Sequence, residues 1–226
     1  PYGCINSCNW SYRSIFQSLP TTLIEMIQKS TFLAWLLRMP LIKRWALMHT
    51  IKPENVAEHS HQVAVIAHLL AVIRNTYFDG QLEPEKAATI ALYHEVSETK
   101  LQDINHVTKY HNPTLTREFK KLEELAEIEC LHTLPSDLQP IFGHLLVQNQ
   151  VPTPYKKIVK AADLLSAYLK ACDEIRFGNH EFEPVKTRLE RMLATFSDDM
   201  PEVKYFRECF EENCAVGVDE LAKNTK

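Results

Sequence analysis

Hydrophobic positions recur at three- and four-residue intervals along most of this chain, while strictly alternating runs are hard to find. From Met26 the pattern is helical. Phe32, Trp35, Leu36 and Met39 form an apolar stripe that stops at Pro40. Asn55 then sits as a helix N-cap with Glu58 three residues on, the spacing of a capping box. That helix runs to about Arg74. His59, Val63, Ile66, Leu70 and Ile73 share one of its faces, which turns His59 inward, whereas His61 and His68 lie off the stripe and are expected at the surface. Asp79-Gly80 marks a turn, and Pro84 opens a helix on which Ala87, Ala91, His94 and Glu98 share a face. The small residues on that face would admit a close helical neighbour. An irregular loop is expected over Leu101–Lys109. Further helices are expected from Pro113 (with Phe119, Leu122, Ala126 and Ile128), from Ser136 (with Ile141, Leu145 and Leu146), from Tyr155 to about Ile175, and after Pro184 and Pro201. No linker or repeat divides residues 26–226, so they read as one all-α domain, a bundle of about eight helices. Residues 1–25 have no clear period and read as an N-terminal extension of unknown role.

Composition narrows the function. A chain of 226 residues with five glycines buries a substantial core and has few special turns. Its formal net charge of −4, with basic residues scattered, gives no footprint for a nucleic-acid polymer. The six cysteines fall mostly inside expected helices and read as free thiols; Cys4 and Cys8 lack a downstream Cys/His pair with finger spacing. No continuous apolar run approaches the roughly 18 residues of a membrane span, and no basic-then-apolar leader is present. No membrane partner and a cytoplasmic location are therefore expected.

The chemistry concentrates in Tyr93-His94-Glu95-Val96-Ser97-Glu98. On a helix His94 and Glu98 share a face, and imidazole with carboxylate is a ligand set suited to Mn, Fe, Co or Zn. Asp163 is flanked on both sides by apolar residues. Burying it ionised and alone would cost several kcal/mol, so it needs a metal, a donor set or a cation, of which Lys160 is the simplest. Arg44-Trp45 offers a forked phosphate donor beside a stacking surface, or else a core tryptophan beside a solvated arginine. Taken together, His59, His94, Glu95 and Asp163 make a site for one divalent transition metal that leaves positions open, and such a metal acidifies bound water. Glu98 is placed for general acid/base work. With no Gly-rich phosphate loop, charge for a phosphate would come from the metal, Arg44 and Lys109.

These residues carry a resemblance. His59, His94-Glu95 and Asp163 occupy the positions of the H…HD…D signature of HD-domain metal phosphohydrolases. The blocks Leu41–Trp45, Asn55–Ser60, Tyr93–Glu98 and Lys160–Lys170 look like the bacterial 5′-deoxynucleotidases within that superfamily, over about residues 26–210. The resemblance implies an all-α homodimer that releases phosphate from deoxyribonucleoside 5′-monophosphates with a divalent transition metal. It implies His59, His94 and Asp163 as ligands, with Glu95 at the position of the fourth, Glu98 as the catalytic acid/base, Asp103 as a supporting catalytic residue, and Arg44 and Trp45 as holders of phosphate and sugar. Two departures stand out. The signature aspartate is Glu95 here, and the loop that carries Gly and Pro in the family has Gln102, Asn105 and Val107, which leaves the choice between deoxyribose and ribose open. A catalytically impaired nucleotide-binding or interaction protein on the same scaffold, marked by Glu95, is the alternative reading.

Overall fold

The structure, a computed structural model, describes residues 27–223. The chain divides into two units, Pro1–Ser30 and Thr31–Lys226, and all of the described helices belong to the second. Cys4, Cys8 and the expected extension over residues 1–25 lie outside the described residues.

The elements in order are α1 (Phe32–Leu36), α2 (Val56–Tyr77), α3 (Pro84–Tyr93), the single turns α4 (Glu98–Leu101) and α5 (His106–Lys109), α6 (Pro113–His132), α7 (Gln139–Leu146), α8 (Thr153–Arg176), α9 (Glu183–Asp199), α10 (Pro201–Phe206) and a last turn α11 (Val218–Leu221). Extended pairing among the described residues is one antiparallel bridge, Lys43 with Asn55. The fold class is therefore all-α.

Local sequence accounts for the long elements. The capping box of α2 is complete: Glu58 N–H donates to Asn55 Oδ1 at 3.0 Å and Asn55 N–H donates to Glu58 Oε2 at 3.3 Å. The main core gathers the inner faces of α2, α3, α8, α9 and α10. Ala64, Ala67 and Ala71 of α2 meet Ala87 and Ala91 of α3 there, so these two helices approach closely, as their small residues allow. A second cluster joins Phe32, Val96, Cys130, Leu131 and Leu146 beneath α1, α6 and α7. The connection leading into α2 is tied to α8 by the fully buried Glu174. It accepts the N–H groups of Ile51 and Lys52 at 2.8 and 3.1 Å, pairs with Lys170 and accepts Asn179 Nδ2 at 2.8 Å.

The structure amends several sequence-based expectations. The α3 helix ends at Tyr93, so His94 and Glu98 do not share one helix: residues 94–97 form tightened turns in which Val96 N–H bonds Tyr93 O and Glu98 N–H bonds Glu95 O, each at 3.0 Å. The loop expected over Leu101–Lys109 contains the α5 turn, because the Asn105 side chain caps it at Val107 N–H. The helix expected from Ser136 starts at Gln139, and Ile141 and Leu122, expected inside, are exposed. Although no continuous apolar run marks a span, α2 is long and apolar enough on average to cross a membrane; just over half of its most apolar window, 56 %, is buried against the core. The free cysteines among the described residues are 130, 172, 209 and 214.

Candidate metal centre

Three segments deliver the four expected ligands to one place. The first turn of α2 carries His59, the turn after α3 carries His94 and Glu95, and the middle of α8 carries Asp163. One ligand atom from each lies within 4.8 Å of all the others. His59 Nε2 is 3.3 Å from Asp163 Oδ1 and 4.0 Å from Glu95 Oε1, and His94 Nε2 is 3.3 Å from the same Glu95 oxygen. Ligands about 2.0–2.2 Å from a common ion would stand roughly 3–4.4 Å apart, so the set needs little contraction to close on a metal.

Hydrogen bonding orients both imidazoles for that task. His94 Nδ1 faces the Ala91 carbonyl at 2.6 Å. A carbonyl only accepts, so Nδ1 carries a proton and, in the neutral ring, Nε2 is the lone-pair atom. Ser166 Oγ donates to Gln62 Oε1 at 3.2 Å and lies 3.3 Å from His59 Nδ1. With its own proton committed, the hydroxyl accepts from His59 Nδ1–H, and again Nε2 is left as the lone-pair atom. Both Nε2 atoms are buried and make no hydrogen bond of sound geometry. Two orphaned imidazole nitrogens between two carboxylates fit a divalent cation.

Arg44 and Trp45 approach from the bridge that pairs residues 42–44 with 54–56: Arg44 N–H donates to Glu54 O and Val56 N–H donates to Ile42 O, both at 3.0 Å. The side chain of Glu54, almost wholly buried, accepts Trp45 Nε1 at 2.6 Å and Arg44 Nε at 3.3 Å. Arg44 Nη1 reaches 3.9 Å from Glu95 Oε1. Trp45 is half-buried, packed edge-on against Phe182 with ring centroids 5.1 Å apart. The indole thus packs against the core, as one reading of the pair expected, while the guanidinium is largely buried rather than solvated and faces the ligand set. The Lys160 partner expected for Asp163 is present too: Lys160 Nζ donates to Oδ2 at 2.7 Å while Oδ1 stays directed at His59.

The electrostatics divide the carboxyls into two kinds. Burial opposes charge on Asp163, but Lys160 and His59 outweigh it and hold the group well below the usual range. Burial likewise opposes charge on Glu95, and His94 brings it down to about 2. Glu98 goes the other way, pushed up to about 10 by burial and by the charges of Glu95 and Asp103. Its Oε2 is buried without a partner. Asp103 is raised by burial, against the pull of Arg44. Glu98 and Asp103 line a pocket of about 860 Å³ together with Arg38 and Lys43. His94, Glu95 and Asp163 open instead on a cleft of about 950 Å³ rimmed by Lys109, Arg117, Lys120, Lys156 and Lys160. Lys109 lines that cleft but is ion-paired with Glu123 rather than free.

Residues 31–214 match the family described as YfbR-like 5′-deoxynucleotidase. A 5′-deoxynucleotidase of Photobacterium profundum is 43 % identical over 196 residues, 87 % of this chain and 100 % of the relative. This chain belongs to the YfbR-like 5′-deoxynucleotidase family. An HD-domain phosphohydrolase from Listeria innocua superposes with a TM-score of 0.72 at 24 % identity, over 83 % of this chain and 90 % of the other. A cyanophage S-2L HD phosphohydrolase, described as bound to dA and one catalytic Zn²⁺ ion, superposes with a TM-score of 0.56 at 18 % identity, over 83 % of this chain and 98 % of the other. Both superpositions agree with the all-α HD-type fold.

In this YfbR-like chain the structure also assembles residues that sequence reasoning passed over. Ser166 follows Asp163 by three positions on α8, so helical spacing places it on the same side, toward His59. Glu54 immediately precedes the Asn55 cap and read only as part of a helix start. Its partners lie nine and ten residues back across a bridge that no periodicity announces.

Proposed function

We propose that residues 26–226 act as a metal-dependent phosphatase that hydrolyses deoxyribo- or ribonucleoside 5′-monophosphates to nucleoside and phosphate. The observation that carries the reading is the pair of lone-pair Nε2 atoms on His59 and His94, aimed between Glu95 and Asp163. These four residues would hold a divalent transition metal of the Mn, Fe, Co or Zn class; the Zn²⁺ named for the cyanophage neighbour is consistent with this. When bound, the metal supplies Lewis-acid charge stabilisation and acidifies water. What supports an enzyme over an impaired scaffold is that Glu95 Oε1 sits with the other ligand atoms in spite of its added methylene.

The roles of the remaining residues come from their positions. Arg44, its Nε fixed by Glu54, presents Nη1 to the phosphate, and Trp45 offers a ring beside it for the sugar. Glu98, protonated at neutral pH, donates to the departing ester oxygen. Asp103 steadies Arg44 and Glu98 electrostatically, and Lys109 adds positive charge to the cleft. The protein works as a homodimer, which the family resemblance implies, and the free thiols among the described residues support the reducing cytoplasm.

The test is phosphate release by the purified chain from dAMP, AMP and dATP with Mn, Co, Zn or Mg, alongside His94→Ala. Metal-stimulated release from the monophosphates, lost in the variant, is expected. Absence of release with every metal refutes the proposal.

A further inference from the structure

Two stretches of backbone that meet at Asp103 are held in conformations their side chains resist. Gln102, the residue before Asp103, stands at φ 64° and ψ 168°. That region is populated essentially by glycine, since a Cβ there crowds the backbone. In the facing stretch Trp45 and Leu47 stand at φ 60° and 70°. Such conformations persist only where surrounding contacts over-determine them. The Gln102 side chain is exposed, so its hold comes from its neighbours. Two bonds cross between the stretches. The Asp103 carboxylate accepts the backbone N–H of Trp45, and Asn105 Nδ2 donates to Ala46 O at 2.9 Å. Asn105 Oδ1 at the same time accepts Val107 N–H at 2.8 Å and so starts α5. One side chain thus anchors the loop twice, forward into α5 and sideways onto the stretch that carries Arg44 and Trp45.

We propose that Asn105 is a positioning residue for the phosphatase reaction: its amide holds residues 102–105 against the strain at Gln102 and so keeps Asp103 beside Arg44 and Glu98. This rests on the phosphatase reading, in which Asp103 steadies those two groups. The φ and ψ of Gln102 set the direction of the chain that follows. Without the bond to Ala46, Gln102 relaxes toward negative φ and draws the Asp103 carboxylate away from Trp45 N–H. Beyond the clasp, His106 Nδ1 meets Arg188 Nη1 at 3.2 Å, which keeps α5 docked and confines the movement to the residues before it.

The experiment separates the two bonds of Asn105. Asn105→Ala removes both, whereas Asn105→Asp keeps an oxygen to cap α5 and loses the donor to Ala46. Gln102→Gly removes the strain and leaves both bonds in place. In steady-state hydrolysis of dAMP, kcat is expected to fall about three- to tenfold in each Asn105 variant, the worth of one hydrogen bond, with KM nearly unchanged. Adding Gln102→Gly to Asn105→Asp should shrink the loss to less than about twofold, because the loop no longer pulls away. A general folding defect would not be rescued in this way. An unchanged kcat, a loss confined to KM, a loss in Asn105→Ala alone, or a double variant as slow as Asn105→Asp overturns the proposal. Amide hydrogen exchange, with metal chelated and no substrate, reads the clasp without turnover. The Trp45 amide should exchange faster in both Asn105 variants and at about the wild-type rate in the double variant, and equal rates in all of them overturn the proposal. A wild type that shows this exchange pattern but hydrolyses no monophosphate refutes the phosphatase reading and leaves the Asn105 clasp standing.

Discussion

Glu127→Gln should change how stability responds to pH. Burial, reinforced by Glu123 and Glu124 and only partly offset by the Gln148 N–H, pushes the Glu127 carboxyl from 4.5 up to about 7. The folded state therefore keeps its proton where the unfolded chain has lost it. Below pH 4.5 both states are protonated and the group is neutral toward folding. As pH rises from 4.5 to about 7 the unfolded state gains an ionisation that the fold resists, and the wild type loses stability; above about 7 the loss is complete. A shift of this size corresponds to about 3 kcal/mol at ~1.4 kcal/mol per pH unit. For a domain of this size that is on the order of 5–10 °C in Tm. Glutamine is nearly isosteric with the protonated acid and does not titrate. Thermal melts followed by circular dichroism at pH 4 and pH 8, with metal chelated, should give nearly equal Tm values for the two proteins at the lower pH. At the higher pH the variant should be the more stable by that margin. Comparing the two proteins at each pH cancels every other titrating group. A Tm difference that is the same at both pH values, or a variant less stable at pH 8, would refute the reasoning.

The geometry sets three further outcomes. Glu98→Gln removes the buried proton donor, and kcat on dAMP should fall by about 10²–10⁴-fold with KM changed little; a purely KM effect in steady-state assays would place Glu98 in binding instead. Glu54→Ala releases both Arg44 Nε and Trp45 Nε1, so KM for the monophosphate should rise roughly ten- to a hundredfold, the worth of about 1.5–3 kcal/mol for hydrogen bonds to a charged group, and an unchanged KM would show that Arg44 holds its position without it. His59→Ala should abolish stoichiometric metal in the purified protein, read by mass spectrometry of dialysed samples, and full retention would move the metal elsewhere.

Legibility in the sequence varies with the range of the interaction. The helices came through because their signals are local. The Asn55/Glu58 box, Pro84, Pro113, Pro184 and Pro201 sit where helices begin, and the inward stripe of α2 is buried as its period requires. His59 was placed by that stripe alone. The break after Tyr93 has no local mark, neither Gly nor Pro; at it Val96 is buried in the second cluster and the His94 ring closes on the Ala91 carbonyl. The α1–α2 connection was equally opaque, because its course depends on Glu174, more than 120 residues away in sequence. The Asp163 question could not be decided from sequence because both answers are true, one oxygen for Lys160 and the other for His59.

Glu95 shows why the break matters. An added methylene moves a carboxylate by about 1.5 Å, which in an unbroken helix would carry it away from a set built for aspartate. In this chain the helix ends at Tyr93, and Glu95 stands in the tightened turns over residues 94–97. Its Oε1 then lies 3.3 Å from His94 Nε2, 4.0 Å from His59 Nε2 and 3.9 Å from Arg44 Nη1. One oxygen thus lies within 4.0 Å of both imidazoles and the guanidinium. The residue that departs from the family signature is also the one that stands between the two imidazoles and the Arg44 guanidinium. With the longer side chain in place, one atom of each of the four residues still lies within 4.8 Å of the others, within reach of a single ion.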